Sequence, residues 1–297
     1  MRLLQSLRLE QPPNHAERDK QVNKTLTCTI TAALAATATF SGSPSSTTAL
    51  ALASSPHDFV APSVFQAAGP TTASIAGTID AFRLALGGIN NANNAGPLAT
   101  GRREINWDGG GTATSPVPTP FTGFLNNRGG LFTTPGSGFV QAPATGIADT
   151  FGNLTYATVF QPFSPARLFS AVDSNVTIVD FFIPGGLGIE ANTRGFGAVF
   201  SDVDEVDGSG PAGKRGNRGA STRLDYYDEN GNLLYSNFVP AAPGNGGFSF
   251  LGIVFADARI ARVRILAGDE QAGADDAGKT DIVMMDDFIY GEPQIRQ

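Results

Sequence analysis

The sequence predicts an all-β protein, an antiparallel β-sandwich of jelly-roll-like build with long Gly/Asn/Pro-rich loops, and three observations carry that expectation. First, short runs rich in Val, Ile, Phe and Tyr recur between turn residues, at 77–86, 156–160, 176–183, 195–201, 222–228, 232–239, 248–255, 259–266 and 281–290. Second, 36 Gly and 19 Pro in 297 residues follow no third-position period, so they belong to turns, bulges and loops and leave little room for long helices. Third, several runs alternate with a period of two. Leu224 and Tyr226 share one face while Arg223, Asp225 and Tyr227 share the other. Ile260, Arg262 and Arg264 fall on one parity, and Ala261, Val263 and Ile265 on the other, which marks a solvated, basic sheet face.

Taken in chain order, residues 1–53 read as an address. A basic stretch ending at Lys24 is followed by an uncharged apolar run at 25–40 and by Ala49-Leu50-Ala51 and Ala51-Leu52-Ala53. Positive, apolar and small-residue regions in that order predict a secretory leader. The run is studded with Thr and shorter than the roughly 18 residues of a membrane span, so no stable span is expected in the mature chain. Residues 54–297 are expected to form a single sandwich domain. Its first third is irregular, because 87–150 is too long for an ordinary connection and holds either a functional loop layer or an N-terminal subdomain of short strands. Asn230-Gly231 between two alternating runs predicts a hairpin joining 222–228 to 232–239. Residues 202–221 form a polar insertion.

Composition narrows the chemistry. One cysteine, Cys28, excludes an internal disulfide and a thiolate zinc site, and two histidines, His15 and His57, leave almost no imidazole for metal or acid–base work. The five Lys and Arg of residues 1–53 outnumber the three acids there, so the remainder is more acidic than the net −7 of the whole. An acidic body does not suit nucleic-acid phosphates; neutral ligands and hard cations are the expected partners.

Gly101–Gly109 (GRREINWDG), Gly130–Gly138 (GLFTTPGSG), Gly195–Asp204 (GFGAVFSDVD) and Val283–Gly291 (VMMDDFIYG) together resemble a family of uncharacterised secreted bacterial cell-surface proteins. The last segment is also similar to the closing strand of jelly-roll carbohydrate-binding modules. The resemblance spans about 78–292 and implies an exported β-sandwich, with calcium as a possible structural ion and no established activity.

Two sets of residues carry the functional expectations. Trp107, the single tryptophan, lies among Arg103, Asn106, Asp108, Asn127 and Arg128, an aromatic face with donors and acceptors of the kind that bind an extracellular polysaccharide or surface glycan. The competing reading of Trp107 is a core plug whose indole N–H is bonded internally. Glu104 and Asp108 are the pair a glycoside hydrolase or polysaccharide lyase would use, given a suitable separation. Asp202, Asp204 and Asp286 are the expected Ca²⁺ ligands, since two strand ends bearing carboxylates offer the hard oxygens calcium needs.

Overall fold

The computed structural model describes residues 61–109, 116–204, 222–274 and 280–296. The leader, Cys28, His15, His57 and most of the 202–221 insertion lie outside them. In chain order the elements are β1 (Ser63–Gly69), α1 (Thr72–Ala85), β2 (Arg102–Ile105), β3 (Val117–Pro118), α2 (Leu125–Arg128), β4 (Gly130–Thr133) and β5 (Gly138–Ala142). They continue as α3 (Ala144–Phe151), α4 (Tyr156–Val159), β6 (Leu168–Val172), β7 (Val176–Phe181), β8 (Ala191–Asn192), β9 (Gly195–Ser201) and β10 (Arg223–Tyr227). The last are β11 (Leu233–Phe238), β12 (Phe248–Val254), β13 (Arg262–Leu266), β14 (Met284–Gly291) and β15 (Gln294–Ile295).

Two antiparallel sheets form the expected sandwich. One runs β1-β12-β9-β14-β6-β5-β3, with β2 also on β14; the other runs β11-β10-β13-β7-β4. A shared core of Phe169, Phe196, Phe200 and Phe288 from the larger sheet and Phe132, Val179, Tyr226 and Val263 from the smaller one fills the space between them. The buried Tyr226 hydroxyl donates to the Phe196 carbonyl at 3.3 Å, joining the layers by a polar contact as well.

The two sheets differ on their outer faces. β9, β12 and β14 are buried at every position, because helices cover the larger sheet from outside. Helix α1 lays Ile75, Ile79, Phe82 and the following Leu86 over Phe250, Val254 and Ile289, while α3 and α4 pack Ile147, Phe151 and Tyr156 over Val140, Leu168 and Met284. By contrast β7 and β13 alternate buried with partly or fully exposed residues, as the basic parity at 262 and 264 predicts.

The helical layer corrects two expectations. The run 77–86 is not a strand but most of α1: the period becomes 3.6 once Ile75 joins Ile79, Phe82 and Leu86. The run 156–160 is the short helix α4, started after Asn153, whose side-chain oxygen accepts from the Thr155 amide and hydroxyl. Helix α1 sits close enough that a Cβ on Gly252 would come within 2.8 Å of the Phe82 ring, which explains a glycine in mid-strand. The described residues of 87–150 form short strands that join both sheets, together with α2 and most of α3, and so are not a subdomain of their own. The hairpin lies where expected, with Arg223 opposite Phe238 and Tyr226 opposite Tyr235. Its turn spans Asp228–Gly231, however, and only Gly231 has positive φ, at +80°.

Trp107 takes the core alternative. Strand β14 pairs β6 at Met285, bulges at Asp286–Asp287, and then pairs β2 from Phe288 onward. Trp107, two residues past the end of β2, occupies the fork. Its indole stacks on Phe169 with centroids 3.6 Å apart and planes 4° apart, and meets Phe124, Phe132 and Phe288 edge-on. Its N–H donates to the Asp286 carbonyl at 3.2 Å, and its φ is +60°. Trp107→Ala is expected to lose about 3–5 kcal/mol of stability, the cost of emptying a large aromatic site. Urea unfolding measures this; a loss below about 1 kcal/mol would show that the fork closes without the indole.

Candidate functional site

The outer face of the five-stranded sheet carries the candidate site, a groove of about 600 Å³. Strand register builds it. One transverse row places Tyr227 of β10, Arg262 of β13, Asp180 of β7 and Leu131 of β4 side by side. The next places Ser236 of β11, Asp225, Arg264, Ile178 and Thr133 in line. The turn residues Asp228 and Glu229, together with Glu190 and Arg296, form one rim.

Each arginine in the groove has a carboxylate partner, and for Arg262 and Arg264 it comes from the neighbouring strand. Arg262 donates from Nε and Nη2 to the two oxygens of Asp180 at 2.7 and 3.1 Å. Arg264 reaches Asp225 at 3.3 Å, and Arg223 pairs with the same carboxylate at 2.9 Å while the Ser236 hydroxyl donates to it at 2.6 Å. At the rim Arg296 pairs with Glu190. The arginine heads face solvent while Asp225 is buried, and the pairs fix the orientation of donors and acceptors. Among them stand the half-buried Tyr227 ring and the apolar floor of Leu131, Ile178 and Phe182.

The residues expected around Trp107 do not form one surface. Arg103 is fully buried: Nε and Nη2 donate to the two Glu292 oxygens at 2.6 Å each, and Nη1 donates to the Ala92 and Asn94 carbonyls at 2.7 Å. Asn91 adds a further donor to Glu292 at 2.7 Å, so this clasp ties the 89–100 loop to the end of β14. With the indole in the core and Arg103 in the clasp, neither can touch a sugar. Asn106 is exposed and donates to Asp108, whose other oxygen accepts from the Arg167 amide at 3.1 Å. Arg128 donates to the Glu104 carbonyl at 3.0 Å and to Asn93; burial, and next the charge of Arg103, hold its guanidinium below the usual value. Asn127 has a buried side-chain oxygen without a hydrogen-bond partner. Glu104 is tied to Arg83 and Arg102, which gives it the role of an ion-pair centre rather than a partner for Asp108.

The expected calcium ligands are not brought together either. Asp202 accepts from the Gly246 amide at 3.0 Å and Asp204 from the Gly244 amide at 2.7 Å, so both organise the 242–247 loop. Asp286 lies in the bulge, bonded to Phe163 and Ser164. Among the described residues no three His, Cys, Asp or Glu side chains gather as a metal site. The groove was readable in part from the alternation of 223–227 and 262–266; what the sequence hides is which strands lie beside them.

Asp228 shapes the rim. Its Oδ1 accepts from the Asn230 and Asn232 amides at 2.9 and 2.8 Å, and its Oδ2 from the Asn232 side chain at 2.9 Å. Slight burial opposes ionisation, but these hydrogen bonds outweigh it and hold the carboxyl below the ordinary aspartate value. A lowered folded value stabilises the protein above the ordinary aspartate range, and that contribution is lost as pH falls through the folded value. Asp228→Ala is therefore expected to lower stability by about 1 kcal/mol at neutral pH, with the two unfolding curves converging in acid; a gap independent of pH would reject the assignment. No protein-family model, curated protein or solved structure matches this chain.

Proposed function

We propose that the protein is an extracellular glycan-binding module, serving as a surface adhesion or scaffold component, whose ligand lies across Tyr227, Arg262 and Arg264 on the five-stranded sheet. The observation that carries this reading is the groove, uncovered among the described residues, with its donors and acceptors held in place by cross-strand pairs. A sugar ring needs an apolar face for its C–H surface and rigid polar groups for its hydroxyls. Tyr227 supplies the first, and the guanidinium and carboxylate rows supply the second. Because each arginine already has a carboxylate partner, the groove favours a neutral polyhydroxylated chain over a polyanion. Export is supported by the leader-like order of residues 1–53 and by the resemblance to secreted cell-surface proteins. Calcium plays no part in this proposal, since the carboxylates expected to ligate it hold backbone amides and a hydroxyl.

Affinity electrophoresis on neutral and uronic-acid polysaccharides, paired with analysis of released products, tests the reading. The parent is expected to be retained by at least one neutral polymer without releasing reducing ends. Tyr227→Ala and Arg262→Gln should each weaken retention about tenfold, or about 1.4 kcal/mol, while Asn106→Ala, just past the end of β2, leaves it unchanged. Absence of retention by the parent, or equal losses in all three variants, would refute the groove as the site.

A further inference from the structure

The acids that line the groove are not equally matched. Asp180 is held by Arg262 and Glu190 by Arg296, so these four groups balance one another. Asp228 and Glu229, on the rim formed by the hairpin turn, have no cationic partner among the described residues. The turn accounts for Asp228, whose oxygens accept from the Asn230 and Asn232 amides and the Asn232 side chain. Against slight burial, those bonds and no guanidinium hold its carboxyl below the ordinary aspartate value, so its charge stays in place. The turn does not account for Glu229. That side chain is exposed, makes none of the turn's bonds, and reaches instead to Asn192 of β8, whose Nδ2 donates to its Oε2 at 3.1 Å.

Asn192 adds a second observation. It is only 8% exposed, and while its Nδ2 serves Glu229, its Oδ1 is buried without a hydrogen-bond partner. An acceptor left in that state is costly until a donor is supplied. The hairpin end of the groove is thus rich in acceptors, poor in donors, and carries two negative charges that no guanidinium offsets. A sugar hydroxyl is neutral and donates once. An ammonium brings three donors and the opposite charge. Tyr227, next to Asp228 in the chain and lining the same groove, offers a ring face that attracts a cation as well as the C–H surface of a sugar.

We propose that the glycan bound in the groove carries a free, protonated amino group, and that Glu229, with Asp228 beside it, selects this amino sugar at the hairpin end. The inference rests on the glycan reading of the groove and narrows it. The body of the chain lies over Tyr227 and the rows of paired arginines and carboxylates, and one ammonium at the turn sets the preference. N-acetylation of that nitrogen removes its charge, leaves a single N–H, and brings a carbonyl acceptor toward a rim that already has acceptors in excess. A lysine side chain offers the same ammonium, but it has no hydroxyls for the fixed polar rows of the groove to hold.

Isothermal titration calorimetry of the whole chain compares a β-linked glucosamine oligosaccharide with its fully N-acetylated counterpart. The amino form is expected to bind about tenfold more tightly, a gap that shrinks to about threefold or less in Glu229→Gln and at high salt. Glu229 is exposed and outside the turn's hydrogen bonds, so Glu229→Gln should fold, and its thermal midpoint checks that. Asp80→Asn removes the same charge from α1, over the other sheet, and should leave the gap as it is, which separates a local contact from the general acidity of the chain. A parent that neutral polysaccharides retain, but that binds both oligosaccharides equally or neither, overturns the amino-sugar selection and leaves the groove standing; no retention by any polysaccharide overturns both. A gap that survives Glu229→Gln also overturns the selection. A short lysine peptide that displaces the amino oligosaccharide at equal concentration would assign the rim to a protein ligand and overturn it too.

Discussion

The fork in β14 is the constraint on which the rest of the molecule depends. A single strand cannot keep β6 and β2 on the same side along its whole length, so its bulge hands one partner to the other. The handover leaves a wedge-shaped gap, and Trp107 fills it against Phe169 while its N–H satisfies the Asp286 carbonyl of the bulge itself. The same bulge turns two carboxyls inward and fixes the segment that covers them. Core aromatic, bulge and buried acids thus form one unit.

The asymmetry of the sandwich follows from where the helices go. α1, α3 and α4 occupy the outside of the larger sheet, so its strands lose their alternation, and the smaller sheet keeps the open face. An open sheet face ordinarily carries scattered polar residues. Here register aligns them into two rows of opposed charge beside a tyrosine. The groove is therefore a property of strand order, since none of its residues is adjacent in sequence to its cross-strand partner.

That explains how much was legible beforehand. The strands 195–201, 222–228 and 248–255 were readable because short apolar runs ended at turn residues, and the parity of Arg262 and Arg264 gave the wet face correctly. The helix α1 was misread because a window opening at Gly77 omits Ile75, the residue that reveals its period. The residues around Trp107 were grouped as one surface for a related reason. Around Trp107 the chain concentrates residues that resemble a sugar site, yet burial recruits Arg103 and the indole inward, and burial is a tertiary property that adjacency in sequence does not report.

The position of β14 in the chain has a consequence for the order in which the molecule is made. It is the central strand of the larger sheet, flanked by β9 on one side and by β6 and β2 on the other, yet it is synthesised after all of them. Until it arrives, β9 lacks a neighbour, β2 has no ladder to join, and the stacked pair of Trp107 and Phe169 has nothing to close over. Pairings of such long sequence separation form slowly. The larger sheet therefore closes only once the last long strand has been made, and until then the apolar edges of β9 and β6 are exposed to wrong pairing.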